Sequence, residues 1–153
     1  MGVGKTTLGR GLAAHLCLPF VDLDEEVEAD AGCSVSALFA QEGEAGFRRR
    51  ERAALEAVVR RPAFVLALGG GTAHQPENAS LLVDLDVYVL QRPWAELGPA
   101  LAADPRRPLA PGAAALFVAR AALAEGLGTP VALGGTDPAR GLARLIAAVE
   151  ARA

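Results

Sequence analysis

The stretch Gly2-Val3-Gly4-Lys5-Thr6-Thr7 constrains this chain more than any other part of it. Leu8, Leu12 and Leu16 follow at i, i+4 and i+8, which predicts a helix over 5–16. A glycine-rich turn opening a helix at Lys-Thr is the closing half of the phosphate-cradling pattern G-x-x-x-x-G-K-[ST]. Its glycines let successive backbone N–H groups curl around phosphate oxygens. The helix dipole behind them favours an anion. Lysine adds a compact charge, and the hydroxyl after it ligates magnesium. Lys5 and Thr6 sit where those roles fall. A chance Gly-Lys-Thr at a helix start competes with this, but composition speaks against it. Of 15 basic residues, Lys5 is the one lysine and the rest are arginines. A solvated charge accepts either residue, whereas a point charge in a tight phosphate loop calls for lysine.

Downstream, short apolar runs alternate with longer helical patterns. Strands are predicted over 18–23, 64–68, 86–90 and 130–133. Helices are predicted over 34–41, 44–60, 77–83, 94–103, 113–125 and 138–152. That alternation predicts an α/β fold with a parallel sheet covered on both faces. Ligands then collect at the carboxyl ends of the strands. The chain has 153 residues, 52% of them hydrophobic, and a net charge of −3. Those values suit one domain over 1–153 and exclude a disordered tail. With no basic stripe, nucleic acid and anionic membranes are not expected partners. No apolar run approaches the roughly 18 residues of a membrane span, and no export signal is visible, so a cytoplasmic location is expected. Cys17 and Cys33 are expected to be free, buried thiols.

Five features past the first helix carry chemistry. Asp22 and Asp24 leave the second run at i, i+2, a spacing that puts both carboxylates on one side of an extended segment. One could serve a metal and the other a substrate hydroxyl. Equally, they could be a strand end running into the acidic start of a helix, since Glu25, Glu26 and Glu28 follow. Arg48-Arg49-Arg50-Glu51-Arg52 reads as a solvated helix face, yet Arg48 and Glu51 are i, i+3 and could pair to aim a bidentate clamp. Gly69-Gly70-Gly71 directly after a strand lets a ligand approach the backbone closely. Arg106-Arg107-Pro108-Leu109 lies in a Pro- and Gly-flanked connection, and Arg120 in an otherwise apolar helix where an unpaired charge is costly.

Taken in order, these motifs resemble the shikimate kinases, small P-loop kinases of aromatic amino-acid biosynthesis. The resemblance runs from Gly2 to the last helix. It rests on Gly4-Lys5-Thr6-Thr7, Asp22-x-Asp24, Phe47-Arg48-x-x-Glu51, Gly69-Gly70-Gly71, Arg107-Pro108-Leu109 and Arg120. It implies a three-layer fold with a parallel sheet ordered 2-3-1-4-5. It also implies transfer of the ATP γ-phosphoryl group to the 3-hydroxyl of shikimate by a cytoplasmic monomer that uses Mg2+. Catalysis would fall to Lys5, Asp24 and Arg107. Gly2, Gly4, Lys5, Thr6, Thr7, Arg107 and Pro138 would bind the nucleotide. Thr6 and, through water, Asp22 would serve the metal. Asp24, Phe39, Phe47, Arg48, Glu51, Gly70, Gly71 and Arg120 would bind shikimate. A lid would span about 97–112.

The chain departs from the family pattern in three places. The first glycine of the loop and the strand that feeds it would precede Met1, so a truncated or misassigned start is expected, with the central strand upstream. The usual lid arginine is absent from Leu97-Gly98-Pro99-Ala100-Leu101, and the aromatic residue after Arg120 is replaced within Ala121-Ala122-Leu123-Ala124. Two alternatives stay open: another small-molecule P-loop kinase such as a gluconate kinase, and a non-catalytic module that kept the fold.

Overall fold

Helix α1, Lys5–Leu16, starts where two glycines turn the chain into it: Gly2 and Gly4 have φ of 71° and 95°, conformations that L side chains disfavour. The computed structural model describes residues 2–102, 114–115, 117–118, 126–135 and 137–152. Arg107, Arg120 and most of the expected lid lie outside them. The chain forms two compact units, one of Met1–Leu12 with Asp86–Ala153 and one of Ala13–Leu85.

In the second unit, strand β1 (Phe20–Asp22) gives way at once to helix α2 (Leu23–Ala31). Of the two readings of the aspartates, the extended one needs correction, and the strand end running into an acidic helix start is the one found. Asp22 is the N-cap of α2, its Oδ1 accepting from the Asp24 amide at 3.1 Å, and Asp24 lies in the first helical turn. Gly32, with φ 68°, ends α2 in the left-handed conformation common after helices. Helix α3 (Val35–Val58) is capped by Ser34, and Glu28 reaches over to accept from the Val35 amide at 2.8 Å. Val27 of α2 and Leu38 and Phe47 of α3 form a buried cluster flanked by Ala31, Cys33 and Ala54. That cluster fixes α2 against α3.

Strand β2 (Val65–Ala67) pairs parallel with β1, in the register Phe20↔Val65, Val21↔Leu66 and Asp22↔Ala67. Parallel pairing brings the carboxyl ends of both strands together, so the acidic pair and the three glycines leave from one edge. A short 3-10 turn, Thr72–His74, then leads into α4, Pro76–Leu82.

In the other unit, strands β3 (Tyr88–Gln91) and β4 (Thr129–Ala132) pair parallel. Helix α5 covers Trp94–Ala102. The last helix, α6 (Pro138–Glu150), is capped by Asp137 and has Pro138 at its first turn, where a missing N–H costs nothing. Leu142 of α6 packs where a Gly11 side chain would be, and Gly141 lies against Leu8 and Leu133. The pairs β1–β2 and β3–β4 match the adjacencies 2-3 and 4-5 of the expected order, and among the described residues they are separate sheets. Both thiols are free as expected but not buried. Cys17 is exposed, in a left-handed conformation just past α1, and Cys33 is half-buried.

Candidate active site

The second unit concentrates most of the expected substrate residues at one strand edge. Glu51 projects from α3 and is only 1% exposed. Such a burial costs several kcal/mol unless every oxygen is paired, and here both are. Oε2 accepts from Arg48 Nη1 at 2.7 Å, and Oε1 accepts from the Thr72 hydroxyl at 2.5 Å. Arg48 also reaches Glu44 at 3.4 Å and lies 5.2 Å from the centre of the Phe47 ring. Burial pushes the Arg48 pKa down, but the bonds and charges of Glu51 and Glu44 outweigh it and hold it above its ordinary value.

The arginine run thus divides by face. Arg50 pairs with Glu42 at 2.8 Å and Asp30 at 3.1 Å, and Arg52 with Glu56 at 2.9 Å and the Glu77 carbonyl. Those are solvated contacts of little energetic weight. Arg48 alone of the run is tied to a buried carboxylate.

The glycines after β2 leave room for the chain's own side chains. A Cβ on Gly71 would stand 2.7 Å from Arg48 Nη2. One on Gly69 would meet the Thr72 hydroxyl at 3.0 Å, and Asp24 Oδ1 and Glu51 Oε1 at 3.3 Å. Asp24, Glu51, Thr72 and Arg48 therefore converge on Gly69–Gly71. Gly70 is exposed beside them. Phe39 stacks on Phe47 with ring centres 4.6 Å apart, although eight residues of straight helix would separate them by about 12 Å along the axis. Gly43, at φ 67° and ψ −175°, breaks α3 between them and makes the contact possible. Phe47 belongs to the core, whereas Phe39 is 38% exposed.

Lys5, Thr6 and Thr7 form the first turn of α1, in the other unit, at the positive end of its dipole. Lys5 is half-buried and Thr6 and Thr7 are exposed. Pro138 opens α6 in that same unit, exposed.

A family model described as "SKI: Shikimate kinase" matches residues 1–125. The chain belongs to the shikimate kinase family. The shikimate kinase of Bordetella pertussis is 46% identical over 110 residues, 71% of this chain and 52% of the relative. That of Thioalkalivibrio sulfidiphilus is 48% identical over 89 residues, 58% of this chain and 47% of the relative. The chain spans about half the length of the curated shikimate kinases it matches. Among solved structures, the shikimate kinase from Acinetobacter baumannii in complex with shikimate superposes with a TM-score of 0.85 at 33% identity, over 99% of this chain and 89% of that one. The α/β fold expected of the shikimate kinase family is therefore the fold of this chain. No helix among the described residues is long and apolar enough to cross a membrane.

No spacing or motif in the sequence singles out Thr72 and Asn78. Both are buried: Thr72 bonds Glu51, and Asn78 Nδ2 donates to the Thr72 carbonyl at 3.0 Å. The available signal was a hydroxyl directly behind the three glycines, at the place where the chain turns back toward α3.

Proposed function

We propose that the chain is an ATP-dependent kinase that phosphorylates the 3-hydroxyl of shikimate. The observation that carries this is the Arg48 guanidinium, braced on buried Glu51 at 2.7 Å and laid against Gly71. A planar cation held this way suits a carboxylate, which takes two parallel N–H bonds from it. Shikimate joins a carboxylate to a ring bearing hydroxyls, and Asp24 beside Gly69 is the carboxylate that would receive those hydroxyls. The likeness to an enzyme solved with shikimate bound supports the same assignment.

Phosphoryl transfer depends on positioning and cationic charge more than on covalent steps. In this proposal Gly70 and Gly71 line the carboxylate subsite, and Phe39 and Phe47 wall the ring. Asp24 takes up the proton of the attacking 3-hydroxyl. Lys5 bears on the β- and γ-phosphates, with Gly2, Gly4 and Thr7 around them, and Pro138 flanks the adenine. Arg120 adds a second cation to the substrate carboxylate, and Arg107 steadies charge on the transferring group. Thr6 and, through water, Asp22 would hold Mg2+; both are hard oxygen donors of the kind that ion prefers. When bound, the ion neutralises phosphate charge. The partners are small molecules, and the enzyme works as a cytoplasmic monomer.

ADP release by the full natural chain, with shikimate and with gluconate, tests the proposal. Turnover is expected with shikimate alone, and Lys5→Ala should lower kcat on the order of 100-fold or more. Absence of shikimate-dependent ADP release would overturn it. Turnover with gluconate would point to the other kinase.

A further inference from the structure

The Thr72 hydroxyl has no evident place in the chemistry above, yet its residue is 0% exposed and tied on three sides. Its amide donates to the Gly69 carbonyl at 3.2 Å, its carbonyl accepts from Asn78 Nδ2 at 3.0 Å, and its hydroxyl donates to Glu51 Oε1 at 2.5 Å. Asn78 is itself 2% exposed. This is a buried polar network joining α3, the turn after β2 and α4. An apolar residue at 72 would leave the buried Glu51 Oε1 without this donor, the costly state of a half-satisfied buried network.

We propose that Thr72 is a positioning residue for the substrate carboxylate subsite, fixing the Glu51 carboxylate so that its other oxygen aims Arg48. The terminal torsion of a glutamate is soft and roughly twofold, so a single bond to Arg48 leaves the carboxylate plane free to turn. A second bond, on the opposite oxygen and from a donor locked by its own backbone contacts, removes that freedom. The plane then dictates where the guanidinium fork points. The same turn supplies Gly71, against which the fork lies, so one backbone segment sets both the floor and the angle of the clamp. Asn78 braces that segment from α4.

The inference rests on shikimate being the ligand of this subsite. Thr72→Val keeps the volume and loses the hydroxyl, whereas Thr72→Ser keeps the hydroxyl and loses the methyl. Binding of shikimate by calorimetry and steady-state KM values for both substrates are measured in the full natural chain. With Thr72→Val, Kd and KM for shikimate should rise about three- to tenfold, the worth of one hydrogen bond, while KM for ATP stays within about twofold. Thr72→Ser should restore shikimate affinity. If the valine variant does not fold, Thr72→Ala removes the hydroxyl with less crowding and should show the same split. A wild-type affinity in the valine variant, or a serine variant weaker than it, would assign Thr72 to packing and overturn the proposal. So would equal losses for shikimate and ATP. A wild-type chain that binds no shikimate would instead bring down the functional assignment along with it.

Discussion

Arg48 Nη1 donates to Glu51 Oε2 at 2.7 Å across a steep gradient of exposure, 24% for the arginine side chain and 1% for the glutamate. Removing the two partners therefore has unequal effects. Glu51→Ala strips the buried Thr72 hydroxyl of its acceptor while Arg48 can rehydrate. It should destabilise the protein by about 2–4 kcal/mol in urea unfolding, the range for orphaning buried polar groups. Glu51→Gln keeps an acceptor and should cost less.

Gly71→Ala should separate binding from stability. Its φ of −110° is open to any residue, so the backbone tolerates alanine. The new Cβ would lie 2.7 Å from Arg48 Nη2, the far end of a flexible side chain that can turn aside while Nη1 keeps its bond to buried Glu51. Tm should hardly move, while KM for shikimate rises about tenfold through loss of the bidentate geometry. Thermal unfolding and initial rates on the same sample check both halves.

Gly11→Ala should do the reverse. A Cβ there would stand 2.7 Å from Leu142 Cδ2 and 3.0 Å from Cδ1. Leu142 belongs to the packed contact of α1 with α6, so an overpacking cost of about 1–3 kcal/mol should exceed the roughly 1 kcal/mol that alanine gains over glycine inside a helix. A urea midpoint equal to the wild type would contradict that packing.

Tyr88 is the single tyrosine of the chain, so phenolate absorbance reports it alone. Burial, aided by the nearby Asp86 charge, raises its pKa above the ordinary 10.0, against a smaller opposing effect of Arg152. The folded state thus holds the phenolic proton more tightly than the unfolded one. Its contribution to stability is complete below pH 10.0 and fades as pH rises through the folded value. A spectrophotometric titration should place the folded midpoint above that in urea. Coincident midpoints would refute the shift.

Periodicity located α1 to the residue, because Leu8, Leu12 and Leu16 on one face leave few alternatives. It over-extended the strand at 18–23, which the Asp22 cap cuts to three residues. Cap geometry is a matter of one dihedral, and alternation of apolar residues does not encode it. The division of the arginine run was likewise hidden: Arg48 and Arg50 are the same residue type two positions apart. They differ in whether a buried carboxylate or a solvated one lies within reach. Thr72 had no pattern at all, since its partners come from 21 positions before it and six after.

The break in α3 at Gly43 has a genealogical consequence. Phe39 and Phe47 meet because a residue without a side chain bends the helix between them, and Glu42 and Arg50 are joined across that bend in the same way. None of the aromatic pair's geometry is stored in the two phenylalanines themselves. Phe39, Gly43 and Phe47 are thus a single heritable unit. A descendant that keeps both rings and loses the glycine keeps the two phenylalanines without their contact.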